Sequence, residues 1–285
     1  MTAIKLDGEV LAAQVKQDLQ LRIDALKVSG VTPGLGTILV GDDGPSQNYV
    51  AMKHRDSEAL GMHSREAVLG ADATQADIDA AVDDFNADGA VHAYIVQYPF
   101  PKGLDYEAAL MGVLPHKDAD GLHPVNLGRL VQGVDAPIAC TPAGIQMMLE
   151  HYDVPIAGRH VVIVGRGLTI GRPLANLLSL KMHNANAAVT VVHTGVKDIG
   201  PYTRQADILI AAAGAPRMIT RDMVKPGAAV VAAGVSFEGK KLVSDVDDDV
   251  AEVAGWLSPR IGGVGPMTRA LLMANTVAAA EKATA

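Results

Sequence analysis

The stretch Val161-Val-Ile-Val-Gly-Arg-Gly-Leu-Thr-Ile-Gly171 decides the fold predicted for this chain. Its four apolar residues are typical of a buried strand, and the glycines after them predict a tight turn into a helix with Leu174, Leu177 and Leu178 on one side. Glycines at such a turn let the backbone approach a pyrophosphate, to which the helix N-terminus offers its amides. We therefore predict nucleotide binding here. The spacing G-x-G-x-x-x-G is one residue longer than the usual fingerprint and also suits a structural turn.

Strands and helices alternate along the rest of the chain. Apolar runs predict strands at residues 37–40, 93–96, 160–164 and 188–192, and helical periodicity predicts helices near residues 11–19, 46–53, 74–85, 143–152 and 268–282. Ser46 and Thr74 are expected to cap their helices, Thr74 together with Asp77. This alternation indicates parallel sheets built from βαβ units, so the predicted class is α/β. A length of 285 residues predicts two domains.

The composition argues against several kinds of partner. The chain has 24 Lys and Arg against 32 Asp and Glu, and no basic cluster that could neutralise a phosphate backbone. We therefore expect neither nucleic acid nor membrane as a partner. The single cysteine, Cys140, cannot form an internal disulfide and is predicted to be structural. Acidic residues interrupt the N-terminal sequence and no apolar run reaches the roughly 18 residues of a membrane span, so we expect a soluble cytoplasmic protein.

The strand predicted at residues 188–192 indicates which dinucleotide binds. An NAD site usually has an acidic residue at the end of this strand, where it holds the ribose 2′-hydroxyl. Here His193, Thr194 and Gly195 follow the strand, without a carboxylate. Arg166 and the Thr194 hydroxyl could instead hold a 2′-phosphate. The sequence therefore predicts NADP as the cofactor.

The first half of the chain holds a second group of candidate residues. Tyr49 and Lys53 are four residues apart on a predicted helix, so their side chains share one face and could reach the same ligand. The alternative is a solvated lysine beside a core tyrosine. Gln97 directly follows the strand predicted at residues 93–96, and the carboxyl ends of parallel strands border the ligand crevice. Gln97 could contact a substrate there, or it could only cap its own loop.

Two acidic segments resemble metal sites. The loop of residues 116–128 offers four possible ligands, but no second ligand cluster supports it. These ligands are His116, Asp118, Asp120 and His123. Residues 245–249 resemble the start of a calcium loop, but Val250 and Trp256 occupy the places of its glycine and its final acid. We therefore predict no bound metal, and a solvated helix start at residues 245–249.

Together these segments resemble the bifunctional methylenetetrahydrofolate dehydrogenase/cyclohydrolase family over nearly the whole chain. The motifs that carry the resemblance are Y-x-x-x-K at Tyr49 and Lys53, V-Q-x-P-x-P around Gln97, K-D-x-D-G with Asp120 as its second aspartate, and GGVGP from Gly262. The resemblance implies oxidation of 5,10-methylenetetrahydrofolate with NADP, followed by hydrolysis of the methenyl product to 10-formyltetrahydrofolate. A monofunctional dehydrogenase, another NADP oxidoreductase of similar two-domain shape and a non-catalytic NADP-binding sensor are the alternatives.

The resemblance also implies roles for individual residues. Lys53 would be the general base, with its pKa lowered by desolvation or by an adjacent cation, Gln97 would orient it, and Asp120 would bind the donor edge of the pterin. Tyr49 would stack on the folate ring, and the GGVGP loop would border the folate site. The implied substrate-binding residues are Tyr49, Gly262, Gly263 and Pro266. The implied cofactor-binding residues are Gly165, Arg166, Gly167, Gly171, His193, Thr194 and Val235.

The resemblance further implies the architecture, with two α/β domains that flank a cleft. Residues 1–140 and 268–285 would form a folate-binding catalytic domain, residues 141–267 a Rossmann-like NADP domain, and the final helix would pack back on the first domain. A homodimer is expected. The chain departs from the usual family sequence at Tyr98, Phe100, Gly167, Ala232 and residues 258–261.

Overall fold

The structure, a computed structural model, describes residues 3–239 and 241–284 and divides into two compact units. The six-strand unit contains the N-terminal segment up to Ala13 and residues Ala139–Thr268. The three-strand unit contains residues Gln14–Ile138 and the segment from Arg269 onward. The units differ from the predicted domains chiefly in the N-terminal segment, because the short strand β1 (Ile4–Lys5) pairs with a strand of the six-strand unit.

The three-strand unit is built on a parallel sheet with the strand order β3-β2-β4. Its strands are β2 (Gly34–Val40), β3 (His63–Leu69) and β4 (Ala93–Val96). Its helices are most of α1 (Gly8–Val28), then α2 (Gly44–Ala59), α3 (Gln75–Ala87), α4 (Tyr106–Gly112), α5 (Pro124–Gln132) and most of α9 (Val264–Thr284). The central strand β2 pairs with a strand on each side, and its residues are buried along its whole length because helices cover the faces of the parallel sheet.

Helix α3 follows the sequence pattern closely. Ile78, Val82 and Phe85 are buried in one cluster with residues of β2 and β4, as their helical spacing predicts. Thr74 and Asp77 form the predicted capping box, in which each side chain accepts a hydrogen bond from the backbone of the other. Local signals therefore sufficed to place this helix.

Helix α2 begins earlier than predicted. Its N-cap is Asp43, whose Oδ2 accepts hydrogen bonds from the backbone amide and the hydroxyl of Ser46 at 2.9 and 2.6 Å. The prediction that Ser46 caps the helix was wrong. Pro45 suits the first turn because the amide that it lacks would have no partner in the helix there. Ser46 thus lies inside the helix and is buried.

The six-strand unit is a parallel sheet with the strand order β1-β11-β8-β7-β5-β6. Its further strands are β5 (His160–Val164), β6 (Ala188–Val192), β7 (Ile208–Ala211), β8 (Ala229–Ala232) and β11 (Trp256–Leu257), and β9 (Val235–Glu238) with β10 (Lys241–Ser244) forms an antiparallel hairpin. Its helices are α6 (Cys140–His151), α7 (Gly171–Ser179) and α8 (Gly200–Thr203). Strands β5 and β6 have the bounds that the sequence predicts.

The strand order places a topological switch point at β5. From β5 the chain passes to β6 on one side, and the next strand, β7, lies on the other side of β5. Ligands of such sheets bind where the order reverses, beyond the carboxyl ends of the strands. The glycine-rich turn of residues 165–171 begins at this position.

The C-terminal part of α9 packs on the three-strand unit. Arg22 of α1 forms an ion pair with Glu281, with N–O distances of 2.8 and 2.6 Å, and Asn275 Nδ2 donates to the carbonyl oxygen of Ala119 at 2.9 Å. The prediction that the final helix packs back on the first domain is confirmed, as is the α/β class. Among the helices of the described chain, none is long and apolar enough to cross a membrane.

Candidate active site

Lys53 and Gln97 meet at the carboxyl end of β4. Lys53 Nζ donates a hydrogen bond to Gln97 Oε1 at 2.9 Å. Gln97 Nε2 donates to the carbonyl oxygen of Tyr98 at 2.6 Å, which turns the amide oxygen toward the lysine. Gln97 therefore caps its own loop and also contacts α2, while its contact with a substrate stays a prediction. Both side chains are half-buried, so they remain accessible to a ligand.

Tyr49 lies one helical turn before Lys53 on the same helix. Its exposed fraction is 43%, so the alternative of a core tyrosine is wrong. His54, next to Lys53, accepts or donates hydrogen bonds at both ring nitrogens, to Thr37 of β2 at 2.7 Å and to Ser64 of β3. These contacts connect α2 to two strands of the sheet. They thereby fix the orientation of the helix face that carries Tyr49 and Lys53.

A charged cluster also holds α2. Asp56 accepts hydrogen bonds from Lys16 of α1 at 2.6 Å and from Arg269 of α9 at 2.7 Å. Its side chain is only 16% exposed, so water screens the two ion pairs less than it would at an open surface. Three helices thus meet at Asp56, one turn beyond the predicted catalytic lysine.

Asp120 lies near a group of aromatic rings at the same end of β4. The Tyr106 ring packs edge-to-face on Tyr98 and Phe100, with centroids 5.2 and 5.3 Å apart. Burial raises the pKa of Tyr106, and the charge of Asp120 raises it further. Asp120 thus lies close enough to Tyr106 to act on its charge, and the Tyr106 ring packs on Tyr98, the residue after Gln97. The sequence around Tyr106 has no local pattern that marks this residue, so Tyr106 was not among the predicted site residues.

Asp118 and His123, two of the possible metal ligands, are occupied within their own loop. The Asp118 carboxylate accepts hydrogen bonds from the backbone amides of Gly121 and His123 at 2.9 and 2.8 Å and from Asn126 Nδ2 at 2.9 Å. His123 Nδ1 accepts one from the amide of Val125 at 3.1 Å. Within residues 3–239 and 241–284, no three His, Cys, Asp or Glu side chains are grouped so that they could hold a metal ion.

The glycine-rich turn after β5 is tightly packed at two of its three glycines. A Cβ on Gly165, whose φ is +127°, would lie 2.1 Å from the carbonyl oxygen of Ala212, and one on Gly171 would lie 2.2 Å from the carbonyl oxygen of Gly165. Only glycine fits both positions. Around Gly167 there is open space within 4 Å, so a side chain could be accommodated there.

The residues predicted to choose between NADP and NAD follow two paired strands. Val164 of β5 and Val192 of β6 are partners in the ladder, so Arg166 and Thr194 each lie two residues beyond it, and both are exposed. His193 Nδ1 accepts a hydrogen bond from the amide of Gly195 at 3.1 Å and so shapes this turn. Val235, the first residue of β9, is 38% exposed.

The GGVGP segment has a structural explanation of its own. The carbonyl oxygen of Gly262, whose φ is +77°, accepts a hydrogen bond from the amide of Gly8 at 2.8 Å. A Cβ on Gly8 would lie 1.8 Å from the carbonyl oxygen of Gly263. Helix α9 begins at Val264, inside this segment, and Pro266 lies in its first turn. Substrate binding by Gly262, Gly263 and Pro266 stays a prediction.

The prediction of a solvated helix start at residues 245–249 was wrong for Asp245. Its side chain is fully buried, and Oδ2 accepts hydrogen bonds from the backbone amides of Ala213 and Gly214 at 2.7 and 2.8 Å. An acidic run at the surface is the usual explanation of such a sequence, and nothing local reveals that distant amides face its first residue. Asp248 and Asp249 are exposed, as predicted.

The three-strand unit also contains a cavity of about 450 Å³, which is not lined by Lys53, Gln97 or Asp120. Val91 and His92, which precede β4, line it together with Lys117 and Arg129. It therefore lies near the amino end of β4, whereas Gln97 lies at the carboxyl end. The cavity contains none of the predicted site residues.

The fold and the site define a two-unit α/β enzyme class, with a Rossmann-like dinucleotide unit and a second unit that presents a lysine and an amide at a strand end. Two family models match the chain: tetrahydrofolate dehydrogenase/cyclohydrolase, catalytic domain, over residues 6–120, and the NAD(P)-binding domain of the same family over residues 139–284. The chain belongs to the tetrahydrofolate dehydrogenase/cyclohydrolase family.

Similar proteins cover the whole chain. The bifunctional protein FolD of Syntrophotalea carbinolica is 58% identical over 282 residues, which are 99% of this chain and 97% of that protein. The crystal structure of the bifunctional FolD enzyme from Campylobacter jejuni has a TM-score of 0.94 at 38% identity and covers 99% of each chain. The Trypanosoma brucei enzyme, solved with NADP and an inhibitor, has a TM-score of 0.93 at 35% identity and covers 100% of this chain and 99% of its own.

These matches confirm the resemblance inferred from the motifs. The predicted bifunctional activity, as methylenetetrahydrofolate dehydrogenase and methenyltetrahydrofolate cyclohydrolase, is confirmed, and so is the nicotinamide dinucleotide cofactor. The roles of individual residues and the oligomeric state stay predictions.

Proposed function

We propose that Lys53, Gln97 and Asp120 form the reacting centre for 5,10-methylenetetrahydrofolate and its methenyl product. The observation that carries this proposal is the 2.9 Å hydrogen bond between Lys53 Nζ and Gln97 Oε1 at the carboxyl end of β4. An amine held in one direction by an amide oxygen, in a half-buried position, is suited to moving a proton at a bound substrate.

In the hydrolysis, water attacks the methenyl carbon and Lys53 takes a proton from that water. The bond from this carbon to N5 of the folate then breaks, and N5 takes up the proton that Lys53 returns. The hydroxyl group of the intermediate loses its proton to solvent and becomes the formyl oxygen, so 10-formyltetrahydrofolate results with the net release of one proton. An amine acts as a base only in its neutral form, which the positive charge of the methenyl substrate beside it favours. Gln97 Oε1 accepts the remaining hydrogen bond and keeps the lysine aimed at the substrate.

Tyr49 and Asp120 hold the folate in this proposal. The exposed Tyr49 ring offers a flat surface on which an aromatic ring stacks. Asp120 accepts hydrogen bonds from the donor edge of the pterin, a role that suits an ionised carboxylate.

The folate-binding catalytic domain would comprise residues 1–140 and 268–285, and the NADP-binding domain residues 141–267.

For the oxidation, bound NADP would supply the acceptor for the hydride that leaves the one-carbon bridge. The chain supplies the binding surface. Gly165 and Gly171 allow the tight packing of the turn, and the open space around Gly167 leaves room for a pyrophosphate to approach the backbone. Gly167, His193 and Val235 complete the proposed surface around it. Arg166 and Thr194, exposed beyond paired strands, would hold the 2′-phosphate, so we expect NADP to be preferred to NAD.

We further propose a cytoplasmic homodimer. The dimer rests on the family resemblance, and the cytoplasmic location on a composition with a single cysteine. Light scattering of the purified protein would measure the mass of the particle, and a value near that of one 29.6 kDa chain would contradict the dimer.

A coupled assay tests the proposed function. Purified protein is mixed with methylenetetrahydrofolate and NADP, the methenyl product is followed by its absorbance, and formyl product is quantified afterwards. We expect both products, and hydrolysis of added methenyltetrahydrofolate without any NADP. Methenyl product that is never hydrolysed faster than in buffer would contradict the proposed role of the Lys53–Gln97 pair.

A further inference from the structure

Asp245 is a buried acid that neither proposed reaction uses. Its Oδ2 accepts hydrogen bonds from two successive backbone amides, of Ala213 and Gly214, at 2.7 and 2.8 Å. Its other oxygen, Oδ1, is buried and has no hydrogen-bond partner in the described part of the chain. A carboxylate without contact to water is costly unless its hydrogen bonds offset the desolvation, so this placement requires an explanation.

The two amides belong to the loop that follows β7, beside the switch point of the sheet. Ala213 and Gly214 are themselves exposed, so Asp245 holds the loop from the inside while its outer face remains accessible. A loop at the carboxyl end of a strand that borders the switch point is a surface that a dinucleotide contacts. The direction in which these amides and their carbonyl groups point depends on the carboxylate beneath them.

Asp245 also fixes the segment that follows β8. Its backbone amide donates to the carbonyl oxygen of Gly234 at 3.0 Å, and a Cβ on Gly234 would lie only 1.9 Å from Asp245 Oδ2. The next residue is Val235, one of the predicted cofactor-binding residues. Ser236 Oγ donates to the carbonyl oxygen of Gly214 at 3.1 Å and so joins this segment to the β7 loop. One carboxylate therefore lies between two segments at the proposed cofactor surface.

We infer that Asp245 is a positioning residue for the dinucleotide, which holds the β7 loop and the Gly234–Val235 segment in the arrangement that receives NADP. This inference rests on the proposed cofactor site. Burial raises the pKa of Asp245, and the amides of Ala213, Gly214 and Ala215 oppose that effect, as expected for a carboxylate whose donors all come from backbone. An amide side chain at this position could accept the same two hydrogen bonds.

The test compares Asp245→Ala and Asp245→Asn with wild-type enzyme in two assays. Direct titration with NADPH measures cofactor affinity, and hydrolysis of methenyltetrahydrofolate without dinucleotide measures the activity assigned to the other unit. For Asp245→Ala we expect NADPH affinity to fall at least about tenfold, as for the loss of one or two charge-assisted hydrogen bonds that order a loop. Hydrolysis should stay within about twofold. Asp245→Asn should regain most of the affinity.

Asp248→Asn is the matched control, since it removes one exposed negative charge from the same segment and should bind NADPH like the wild type. The inference would be overturned if folded Asp245→Ala bound NADPH within twofold of the wild-type affinity. It would also be overturned if NADPH affinity and hydrolysis of methenyltetrahydrofolate fell equally, because that result would indicate a general structural role. If Asp245→Ala does not fold, Gly234→Ala decides, because its methyl group displaces the carboxylate. It should show the same loss of affinity with hydrolysis retained, and wild-type affinity would overturn the inference.

A wild-type protein that binds NADPH but hydrolyses no methenyltetrahydrofolate would contradict the proposed function, while the affinities of the Asp245 variants would still decide the role of Asp245. A wild-type protein that does not bind NADPH would overturn both.

Discussion

At the scale of single residues, Lys53 separates the two activities. Hydrolysis needs a proton taken from water, whereas hydride transfer needs only geometry at this position. In Lys53→Met, which keeps the length of the side chain but loses the amine, we expect cyclohydrolase activity to fall by about 10²- to 10⁴-fold, the usual contribution of a positioned base. Dehydrogenase activity should fall less, so methenyltetrahydrofolate should accumulate.

The measurement is steady-state hydrolysis of methenyltetrahydrofolate, with Lys27→Met as a control because Lys27 is an exposed lysine of α1. Hydrolysis by Lys53→Met at the wild-type rate would show that the lysine is not the base.

Arg166 is expected to distinguish the two dinucleotides. Its guanidinium can pair with the 2′-phosphate that only NADP carries. In Arg166→Ala, kcat/KM for NADP should fall about 10- to 100-fold, the range for one charged hydrogen bond, while kcat/KM for NAD changes little. Kinetics with each dinucleotide measure this, and Arg159→Ala, a change of an exposed arginine before β5, serves as control. Equal losses with both cofactors would contradict the assignment.

Asp120 is expected to bind the pterin. Asp120→Asn exchanges an oxygen acceptor for a donor, so the KM for folate should rise or kcat should fall while NADPH affinity is unchanged. Kinetics with varied methylenetetrahydrofolate and a separate NADPH titration measure the two effects. If a chelator abolished wild-type activity and a divalent cation restored it, the acidic loop would be a metal site after all.

At the scale of elements, the orientation of α2 depends on Asp56, which joins it to α1 and α9. Asp56→Ala leaves Lys16 and Arg269 without this partner. We expect it to lower the free energy of unfolding by about 1–3 kcal/mol and to lower cyclohydrolase activity, because Lys53 lies on the same helix. Thermal unfolding and hydrolysis assays measure both effects. Asp18→Ala, at an exposed acid on α1, should leave both nearly unchanged.

The sequence predicts elements well where the signal is local. The apolar runs of β5 and β6 and the Thr74 capping box are such signals, and the predicted elements match them. Ser46 was the wrong cap because Asp43 competes with it three residues earlier, and both residue types cap helices well. Contacts across the fold are different. The hydrogen bond between Lys53 and Gln97, which are 44 positions apart, leaves no periodic pattern in the sequence. The same is true of the distant backbone amides that donate to Asp245.

At the scale of the whole molecule, several carboxylates connect stability to pH. The Lys225 ammonium lowers the pKa of Asp207 below its ordinary value of 3.8, and the backbone amide of His160 contributes. Hydrogen bonds from Lys5, from Ser46 and from Arg22 likewise lower the pKa of Asp7, Asp43 and Glu281. Since these folded-state pKa values are lowered, the stabilisation is present above the ordinary values and is lost as pH falls through the folded-state values.

The melting temperature should therefore fall as the pH is lowered from about 5 toward 3. In this range these carboxyl groups are protonated in the unfolded chain at a higher pH than in the folded protein. Asp207→Asn should show a shallower decline than the wild type, because one of the shifted groups is gone. Thermal unfolding at a series of pH values measures this. A melting temperature that is constant down to pH 3 would contradict the predicted direction.

The return of α9 has a consequence for synthesis of the protein. Glu281, Asn275 and Arg269 make their contacts with residues that the ribosome produced more than 100 residues earlier. Most of the three-strand unit therefore leaves the exit tunnel before α9 does. At that stage Arg22 lacks its partner Glu281, and Asp56 lacks its partner Arg269. All residues of the six-strand unit precede Arg269 in the chain. A purified chain that is truncated after residue 268 should therefore resist protease better in residues 139–268 than in residues 14–138.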